Sequence, residues 1–471
     1  MTANMTTGFS KVVRDPVHNL IRLEGEEGRL VLALMDMPEM QRLRRIRQLG
    51  LSCLTYPGAE HSRFGHSLGV YHVARRMLDA LRDRKEEDPE LYQVLVDKRR
   101  VVLAAALLHD VGHGPFSHVF ERAMPKPVSA PAGHPTRHEG WTARLIRDSI
   151  ANTCFGEFGI DTEEVCALVE GTSGGNLLLR DFISSQLDAD RLDYLRRDGH
   201  AAGVSYGEYD LDWLIHSLRI GRVPVPGQAN HVPRLCFRAP KAQAVVEGFI
   251  QARQSMYIQV YTHKTTRAYE AQLRHILAVA SEVLNKGEAL PGPCPVPLRK
   301  ALLGEPLSTE EYLSLDDFLL WSVMGEWAAS EQPHGDGFPE RLARKAADLV
   351  KRRRPYRTLN LDSDEKKREA LKLEGHLDHS GSPARFYCYR DEYRDVPYRS
   401  IFYRPGKGEE EAGLRAIYFL DDNGHPRSAE IQSDLIRAVS EIPVEASRLF
   451  YDEHEPTATE VLTQHGLLEG A

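Results

Sequence analysis

The residues of this chain best suited to chemistry are an adjacent histidine and aspartate, His109 and Asp110. Imidazole nitrogen and carboxylate oxygen together suit first-row divalent cations such as Mn, Fe, Co, Ni or Zn. The pair ends an unbroken apolar run, 101–108, which is typical of a buried helix leading to an interior pocket. A lone His-Asp pair could be an ordinary salt bridge. His113 and His118 follow shortly afterwards, and this density of histidines favours a metal site.

Two other segments carry residues of the same chemical types. His66 lies at the start of a predicted amphipathic helix whose apolar stripe runs from Leu68 to Leu78. The segment 187–194 places four charged residues in a stretch that otherwise has the pattern of a buried helix. Buried charges need partners or a metal. The sequence therefore predicts a mononuclear catalytic metal site on three helices, with positions left open for water and a phosphate oxygen, and with the ligands His66, His109, Asp110 and Asp190.

The elements that must position these residues are mostly helical. From 36 to 49 we expect one helix, with Asp36 as its N-cap and Pro38 in its first turn. The pattern of 241–285 predicts two helices or one bent helix. The segments 385–390 and 399–404 alternate as strands do. We expect a mainly α fold, a helical core with a smaller α+β C-terminal lobe.

Proline-rich breaks and composition set the predicted organisation. We divide the chain into an N-terminal segment and helix at 1–55, a catalytic core at 56–286 and a C-terminal lobe at 287–471. A hydrophobic content of 42% in 471 residues suffices for one large core. Six cysteines without a C-x-x-C pair predict free thiols in a reducing compartment. We expect a cytoplasmic protein without a membrane partner, because neither a leader nor a membrane-spanning run is visible.

Several motifs occur together in a recognisable order. They are H-S-R-F-G-H-S-L-G-V, L-L-H-D-V-G-H-G-P-F-S-H, H-E-G-W, D-A-D-R-L-D-Y-L-R-R-D and Y-T-H-K-T. This H…HD…D order resembles the HD superfamily of phosphohydrolases. More narrowly, it is similar to the deoxynucleoside triphosphate triphosphohydrolases related to the vertebrate enzyme that joins a SAM domain to an HD domain. The resemblance runs from about residue 11 to about residue 361, and we expect no SAM domain ahead of it.

The resemblance implies attack of water on the α-phosphorus, which releases a deoxynucleoside and inorganic triphosphate. The cofactor would be a divalent metal, with Mn, Fe, Mg, Zn, Ni and Co all open, and Mg could also accompany the nucleotide. His118 would serve the leaving 5′ oxygen as acid or base, and His113 would contact the phosphates or a catalytic water. His138 with Glu139 would complete the relay. One departure is Glu121, which stands where the family has aspartate.

The resemblance also implies how the substrate is held. Phosphate-binding positions correspond to Arg63, Arg191, Arg253 and Lys264. The sugar would meet Gln48, Leu49, Tyr194, Asp198 and Tyr261. In this reading Gln48 and Asp198 bind the 3′-OH, while Tyr194 and Leu49 crowd the 2′ carbon so that ribonucleotides clash.

An activator site for GTP or dGTP is implied by matches near the N-terminus. Its residues would be Lys11, Val12, Asp36, Gln41 and Arg44, and we also assign Lys264 to it. The family positions such a site between subunits, so we expect a homo-oligomer, a tetramer in the resembled enzymes, with a dimer left open. A second, deoxynucleotide effector site is less well matched, because Ala239 and Trp213 replace or displace two of its arginines although Lys241 fits.

Two other classes of function remain open at the sequence level. A metal-dependent nuclease or phosphodiesterase could use the same ligands, with the basic run 351–354 tracking a nucleic-acid backbone. A formal net charge of −8 argues against indiscriminate nucleic-acid binding and makes such a partner secondary. The third class is a non-catalytic nucleotide sensor, which the complete ligand set disfavours. The identity of the product would discriminate these classes.

Overall fold

Helices dominate the part of the chain that the computed structural model describes, residues 9–84, 88–126, 134–171, 176–224, 231–330, 337–380, 383–399 and 416–468. The prediction of a mainly α fold is therefore confirmed. The chain begins with a hairpin of β1 (Ser10–Asp15) and β2 (Asn19–Glu24), in which Asp15 lies opposite Asn19. Helices α1 (Gly25–Met35) and α2 (Pro38–Arg42) follow.

The single helix expected over 36–49 is wrong. Asp36 ends α1 as its C-cap, Met37 is the N-cap of α2, and short 3-10 turns cover Leu43–Arg45 and Gly50–Leu54. The helical pattern gives way because the backbone at Ile46 is extended and pairs elsewhere. Its carbonyl accepts from the amide of Arg63 at 2.9 Å. Pairing with a distant segment has outweighed local helical periodicity.

The central helices include one that is buried over most of its length. In order they are α3 (Arg63–Arg82), α4 (Pro89–Asp97), α5 (Arg99–Leu108), α6 (His118–Ala123), α7 (His138–Leu145), α8 (Gly156–Phe158), α9 (Thr162–Glu170), α10 (Leu177–Arg180), α11 (Ala189–Ala202) and α12 (Leu211–His216), with a π-helical stretch at Ile146–Phe155. Every residue from Val101 to Leu108 on α5 is buried, as the apolar run predicted. Helices α3, α9 and α11 belong to the same hydrophobic core.

The long helical pattern of 241–285 forms two helices, one of the two arrangements predicted. Strands β3 (Leu218–Val223) and β4 (Val232–Arg238) precede α13 (Gln243–Met256), a π-helical turn at Tyr257–Tyr261 and α14 (Lys264–Asn285). The break falls at His263, whose backbone is not helical and whose side chain accepts from the amide of Thr265. Buried residues of α14 belong to a second hydrophobic core, which they form with the helices that follow α14 in the chain.

The remaining elements form the helical layer on α14 and the C-terminal α+β part. They are α15 (Val296–Leu302), α16 (Thr309–Leu313), α17 (Asp317–Ala329), α18 (Phe338–Val350), β5 (Arg357–Asn360), α19 (Asp364–Ser380), β6 (Cys388–Asp395), β7 (Tyr418–Leu420), β8 (Pro426–Ser428), α20 (Ala429–Gln432), α21 (Asp434–Glu441), β9 (Val444–Tyr451) and α22 (Pro456–Gln464).

Two sheets organise this C-terminal part. Antiparallel strands follow the order β5-β9-β6 in one, and the other has the order β3-β4-β7-β8 with β4 and β7 parallel. The strand predicted within 385–390 begins only at Cys388, after a 3-10 turn. Most of the strand predicted at 399–404 lies outside the described residues. The proposed domain boundaries stay predictions, although β7 joins β4 across the boundary at 287.

The six cysteines are free thiols, as predicted. None of the helices described is both long enough and apolar enough to cross a membrane.

Candidate metal centre and catalytic cavity

Three helices bring the predicted metal ligands together. His66 lies on α3, His109 caps the C-terminal end of α5, and Asp190 lies in the first turn of α11. The Oδ1 atom of Asp190 is 3.0 Å from Nε2 of His66 and 3.7 Å from Nε2 of His109. Ligand atoms of these three residues all lie within 4.8 Å of one another, a spacing that can accommodate one cation.

Asp110 supplies a second carboxylate beside this group. Its Oδ1 lies 3.3 Å from Nε2 of His109, and its Oδ2 lies 3.7 Å from Nε2 of His66. Arg63 also donates to Oδ2. Burial alone would raise the pKa of Asp110, but Arg63 and His109 hold it well below its usual range. The carboxylate is therefore ionised and available as an anionic ligand.

The two imidazoles are oriented as metal ligands require. His66 donates from Nδ1 to Asp193 at 2.7 Å, and His109 donates from Nδ1 to the carbonyl of Ala106 at 2.9 Å. Each ring thus presents Nε2 toward the carboxylates, and both Nε2 atoms are buried without a hydrogen-bond partner. A histidine whose other nitrogen is fixed in this way is typical of metal sites. The donor set fits a divalent cation.

The electrostatics of the centre favour positive charge. Burial would lower the pKa of His66, but the carboxylates of Asp190 and Asp193 raise it to about 10. Burial would also raise the pKa of Asp190, but His109 and His66 lower it. Because a ligating imidazole must be neutral, a metal ion would displace the proton that these carboxylates attract.

A second histidine cluster adjoins the metal centre. The rings of His113 and His138 stack with centroids 3.9 Å apart, and Glu121 places Oε2 3.3 Å from Nδ1 of both His118 and His138. Burial would raise the pKa of Glu121, but these two histidines lower it to about 2. Glu139 lies 3.4 Å from the same nitrogen of His138. The glutamate found in place of the expected aspartate thus reaches two histidines at once.

His113 itself is held neutral, because burial, Arg63 and His138 hold its pKa well below the usual range. His118 differs from it in being 53% exposed. A half-exposed imidazole next to a carboxylate can exchange protons with solvent.

One cavity of about 490 Å³ joins three of the four predicted metal ligands to most of the predicted substrate residues. Its walls include His66, Asp110 and Asp190, the histidines of the second cluster, and the substrate residues Gln48, Leu49, Arg63, Arg191, Tyr194, Asp198 and Tyr261. Among the predicted site residues, His109, Glu121 and Glu139 are not in its lining, and neither are the phosphate-binding candidates Arg253 and Lys264. Arg253 donates to the carbonyl of Pro397 at 2.7 Å, and Lys264 is exposed at the start of α14.

Comparison with known proteins agrees with this geometry. A family model described as "HD domain" matches residues 63–198, an interval that contains all four predicted ligands. The uncharacterised protein YwfO of Bacillus subtilis is 34% identical over 432 residues, which cover 91% of this chain and 89% of YwfO.

The chain belongs to the HD-domain family.

Other HD-domain relatives are more distant. Human deoxynucleoside triphosphate triphosphohydrolase SAMHD1 is 29% identical over 301 residues, which cover 58% of this chain and 45% of that enzyme. Among solved structures, a phosphohydrolase from Bacteroides thetaiotaomicron superposes with a TM-score of 0.69 at 26% identity and covers 94% of this chain and 100% of its own. A hypothetical protein from Aquifex aeolicus gives 0.66 at 27% identity, covering 96% and 100%.

The predicted sugar-binding residues differ in their hydrogen bonding. Asp198 accepts from Nε2 of His61 and from the hydroxyl of Tyr261, both at 2.8 Å. The Oε1 atom of Gln48 is buried and has no hydrogen-bond partner, so it can accept from a ligand. Burial raises the pKa of Tyr194, which keeps its hydroxyl protonated.

Sequence reasoning missed several residues around the HD-domain cavity. Tyr393 and Asp395, from β6 of the C-terminal part, line it, and the hydroxyl of Tyr393 is buried without a partner. No sequence signal links these residues to the motifs. Asp193 was also missed, although its spacing of three from Asp190 places both on one helix face.

The predicted activator residues are only partly assembled in one subunit. Gln41 donates to the carbonyl of Met35 at 2.6 Å and accepts from Arg44 at 2.9 Å. Lys11 and Val12 are exposed on β1. Across the described residues, no hydrogen bond or ion pair joins β1 to Asp36, Gln41 or Arg44. Of the weaker effector site, Trp213 donates to the carbonyl of Lys241 at 3.1 Å.

Proposed function

We propose that this HD-domain protein hydrolyses deoxynucleoside triphosphates to deoxynucleoside and inorganic triphosphate. The ligands of the required divalent cation are His66, His109, Asp110 and Asp190. The observation that carries the proposal is the single cavity lined by His66, Asp110 and Asp190, by the histidines of the second cluster and by the predicted sugar residues. The named triphosphohydrolase activity of SAMHD1 supports the choice of substrate.

The chain's own residues divide the work of binding and proton transfer. Arg63 and Arg191 line the cavity and bind the phosphate oxygens, since guanidinium groups match them geometrically. A bound cation polarises phosphate and lowers the pKa of water. His113, kept neutral, accepts a hydrogen bond from water or donates one to a phosphate oxygen.

Proton delivery to the leaving group falls to His118. Glu121 orients its Nδ1 and stabilises the imidazolium, and partial exposure lets the ring recover its proton from solvent. The same carboxylate holds His138. General acid catalysis of this kind contributes on the order of 10²- to 10⁴-fold to the rate.

Selection of the sugar falls to the opposite wall of the cavity. Gln48 and Asp198 bind the 3′-OH, and Leu49 and Tyr194 occupy the space that a 2′-OH would need. Because Asp198 is fixed by His61 and Tyr261, the 3′-OH meets an acceptor that cannot move away. Preorganised groups of this kind reject a wrong substrate more strongly than a mobile contact does.

Activation by GTP or dGTP is part of the proposal. Lys11, Val12, Asp36, Gln41, Arg44 and Lys264 would bind the activator between subunits of a homotetramer. The exposure of Lys11 and Val12, and the lack of a hydrogen bond or ion pair between them and Gln41 among the described residues, support a site that a partner subunit completes.

The deciding experiment identifies the products. The protein is incubated with dATP, dGTP, dCTP or dTTP, with Mn²⁺ or Mg²⁺ and with or without GTP, and products are followed by phosphorus NMR and chromatography. Inorganic triphosphate and deoxynucleoside are expected. Shortened oligonucleotides from a nucleic-acid substrate, without triphosphate release, would favour a nuclease. The basic run gives that alternative little support, since Arg353 donates to the carbonyl of Leu54 and Arg354 pairs with Asp348.

A further inference from the structure

A buried chain of hydrogen bonds runs from the metal ligand His66 to the N-terminal hairpin. His66 donates from Nδ1 to Oδ2 of Asp193 at 2.7 Å. Asp193 in turn accepts from Nε2 of His18 at 2.7 Å, and His18 lies at the turn between β1 and β2. A ligand of the metal centre is therefore one carboxylate away from the hairpin.

A second branch reaches the hairpin through an arginine. Arg197 donates to both oxygens of Asp193, at 2.8 and 2.9 Å, and its third donor reaches Oδ2 of Asp15 at 2.9 Å. Asp15 ends β1, and its Oδ1 accepts from the backbone amides of Val17 and His18 at 2.9 and 2.8 Å. Both branches thus begin at the same turn and end on the same carboxylate.

The residues of this network are buried, and Asp193 has no free hydrogen-bonding capacity. Asp193 is 0% exposed, Arg197 3% and Asp15 6%. Asp193 accepts four hydrogen bonds, which uses the capacity of a carboxylate. A β-carbon at Gly69 of α3 would overlap with the Asp193 and Arg197 side chains, so the helix can approach only because glycine stands there. A carboxylate held this tightly transmits a displacement of the hairpin to its other partner.

We propose that the N-terminal hairpin sets the position of His66, with Asp15, His18, Arg197 and Asp193 as positioning residues, so that a ligand on β1 changes the affinity of the metal centre. The second clause rests on the proposed activator site, because Lys11 and Val12 lie on the strand that Asp15 ends. Coupling of this kind is reciprocal: an activator that tightens metal binding is itself bound more tightly when the metal is present.

The alternative is that the network only stabilises the fold. Buried arginine-aspartate pairs are costly to break anywhere in a protein, and their loss need not touch a distant site. The chain offers a matched control, because Asp181 forms a comparable pair with Arg234, 2.6 Å long and equally buried, that contacts none of the metal ligands. If the network only stabilises the fold, loss of either ion pair should have the same effect on metal binding.

The test measures the dissociation constant of Mn²⁺ for the full-length protein by competition with a fluorescent chelator, without substrate. Asp193→Asn should weaken Mn²⁺ binding about 10- to 100-fold, the usual effect of removing the partner of a ligating histidine. Asp15→Asn does not touch His66 and should weaken it by about 5-fold or more. Asp181→Asn should leave it unchanged, and thermal melts identify variants that remain folded.

A rescue series on His18 tests the branch that is simplest to restore. His18→Ala removes the donor to Asp193 and should weaken Mn²⁺ binding, whereas His18→Gln keeps an N–H donor and should recover part of the affinity. Asp15→Asn and His18→Ala proteins that are folded and bind Mn²⁺ as the wild type does would overturn the positioning role. Equal weakening in Asp181→Asn would do the same.

A final arm separates this inference from the proposed function. The Mn²⁺ dissociation constant of the wild type is measured with and without GTP. A lower constant with GTP that Asp15→Asn abolishes would support coupling. If the hairpin variants weaken Mn²⁺ binding but GTP has no effect on the wild type, the positioning role stands, and the activator site and the regulatory clause fail.

Discussion

Tyr393 stacks on Tyr257, with ring centroids 6.1 Å apart and an interplanar angle of 28°. Tyr257 follows α13, whereas Tyr393 comes from β6 in the C-terminal part. The stacked pair closes one wall of the catalytic cavity, and only Tyr393 brings a buried hydroxyl without a partner. A hydroxyl in that state is available to a bound phosphate.

We expect Tyr393→Phe to raise KM about 3- to 10-fold, since it removes one hydrogen bond to the substrate. The melting temperature should stay the same or rise slightly, because no hydrogen bond within the protein is lost. Tyr389→Phe is the control on the same strand: it loses a bond from Arg274 but lies outside the cavity. Equal KM values for wild type and Tyr393→Phe would show that the hydroxyl does not meet substrate.

The metal ligands give the most decisive prediction. Asp110→Ala and Asp190→Ala should each abolish hydrolysis and tight Mn²⁺ binding while the helical circular-dichroism signal persists, because each removes an anionic ligand. Metal content after gel filtration provides the measurement. Asp161→Asn, at the N-cap of α9, is a control away from the centre. Undiminished turnover in either alanine variant would remove this centre from the mechanism.

Glu121 predicts a pH dependence of stability. Its pKa falls from 4.5 to about 2 in the folded protein. The stabilisation is therefore fully present above about pH 4.5 and is lost as pH falls toward 2, where unfolded and folded chains both carry the proton. We expect Glu121→Gln to lower the unfolding free energy by about 1 kcal/mol at pH 6, allowing for screening of a partly exposed group. Urea titrations at pH 6 and pH 3 measure this, and a deficit that is equal at both pH values would contradict the assignment.

If Leu49 and Tyr194 exclude a 2′-OH, the protein should cleave deoxyribonucleotides faster than ribonucleotides, and a smaller side chain at Leu49 should reduce that preference. Wild-type protein should cleave dATP more than about 100-fold faster than ATP, beyond what one missing contact gives. Leu49→Ala should narrow this ratio to about 10-fold or less, by opening space near the 2′ carbon. Rates on both nucleotides under identical metal conditions provide the test. A wild-type ratio of dATP to ATP rates near one would contradict the exclusion of the 2′-OH by Leu49 and Tyr194.

If GTP binds between subunits as proposed, its binding should be linked to the formation of the homotetramer. GTP should shift the protein toward a tetramer in light scattering and raise its rate on other deoxynucleotides. Asp36→Ala should erase both effects but keep Mn²⁺ binding. If ATP works as well as GTP, Asp36 does not read guanine. A wild-type protein that is tetrameric and fully active without nucleotide would make the site structural.

The candidate metal centre could be located from the sequence because each of its residues is marked by its own local pattern. An apolar run precedes His109, an amphipathic stripe follows His66, and Asp190 is a charge in a buried segment. These signals lie within single helices. Short-range patterns of this kind survive folding because each helix that carries them buries its apolar face in the core.

Contacts between segments that are distant in the sequence could not be predicted. The helix expected over 36–49 failed because the backbone near Ile46 bonds to Arg63. Tyr393 lines the cavity because β6 packs against it. Arg253 donates to the carbonyl of Pro397, and no sequence pattern links these two residues. Asp193 could have been found, since four charges in one buried segment required more partners than a single metal supplies.

The pairing of β4 with β7 has a consequence for synthesis. All four candidate metal ligands leave the ribosome before β7 exists, so the nascent chain carries an unpaired strand edge at β4 until β7 has been synthesised. Such edges are aggregation-prone while they wait. Chains terminated early, before β7, would carry the ligands and yet expose that edge, which should make them substrates for chaperones and proteases and keep metal-loaded fragments from accumulating.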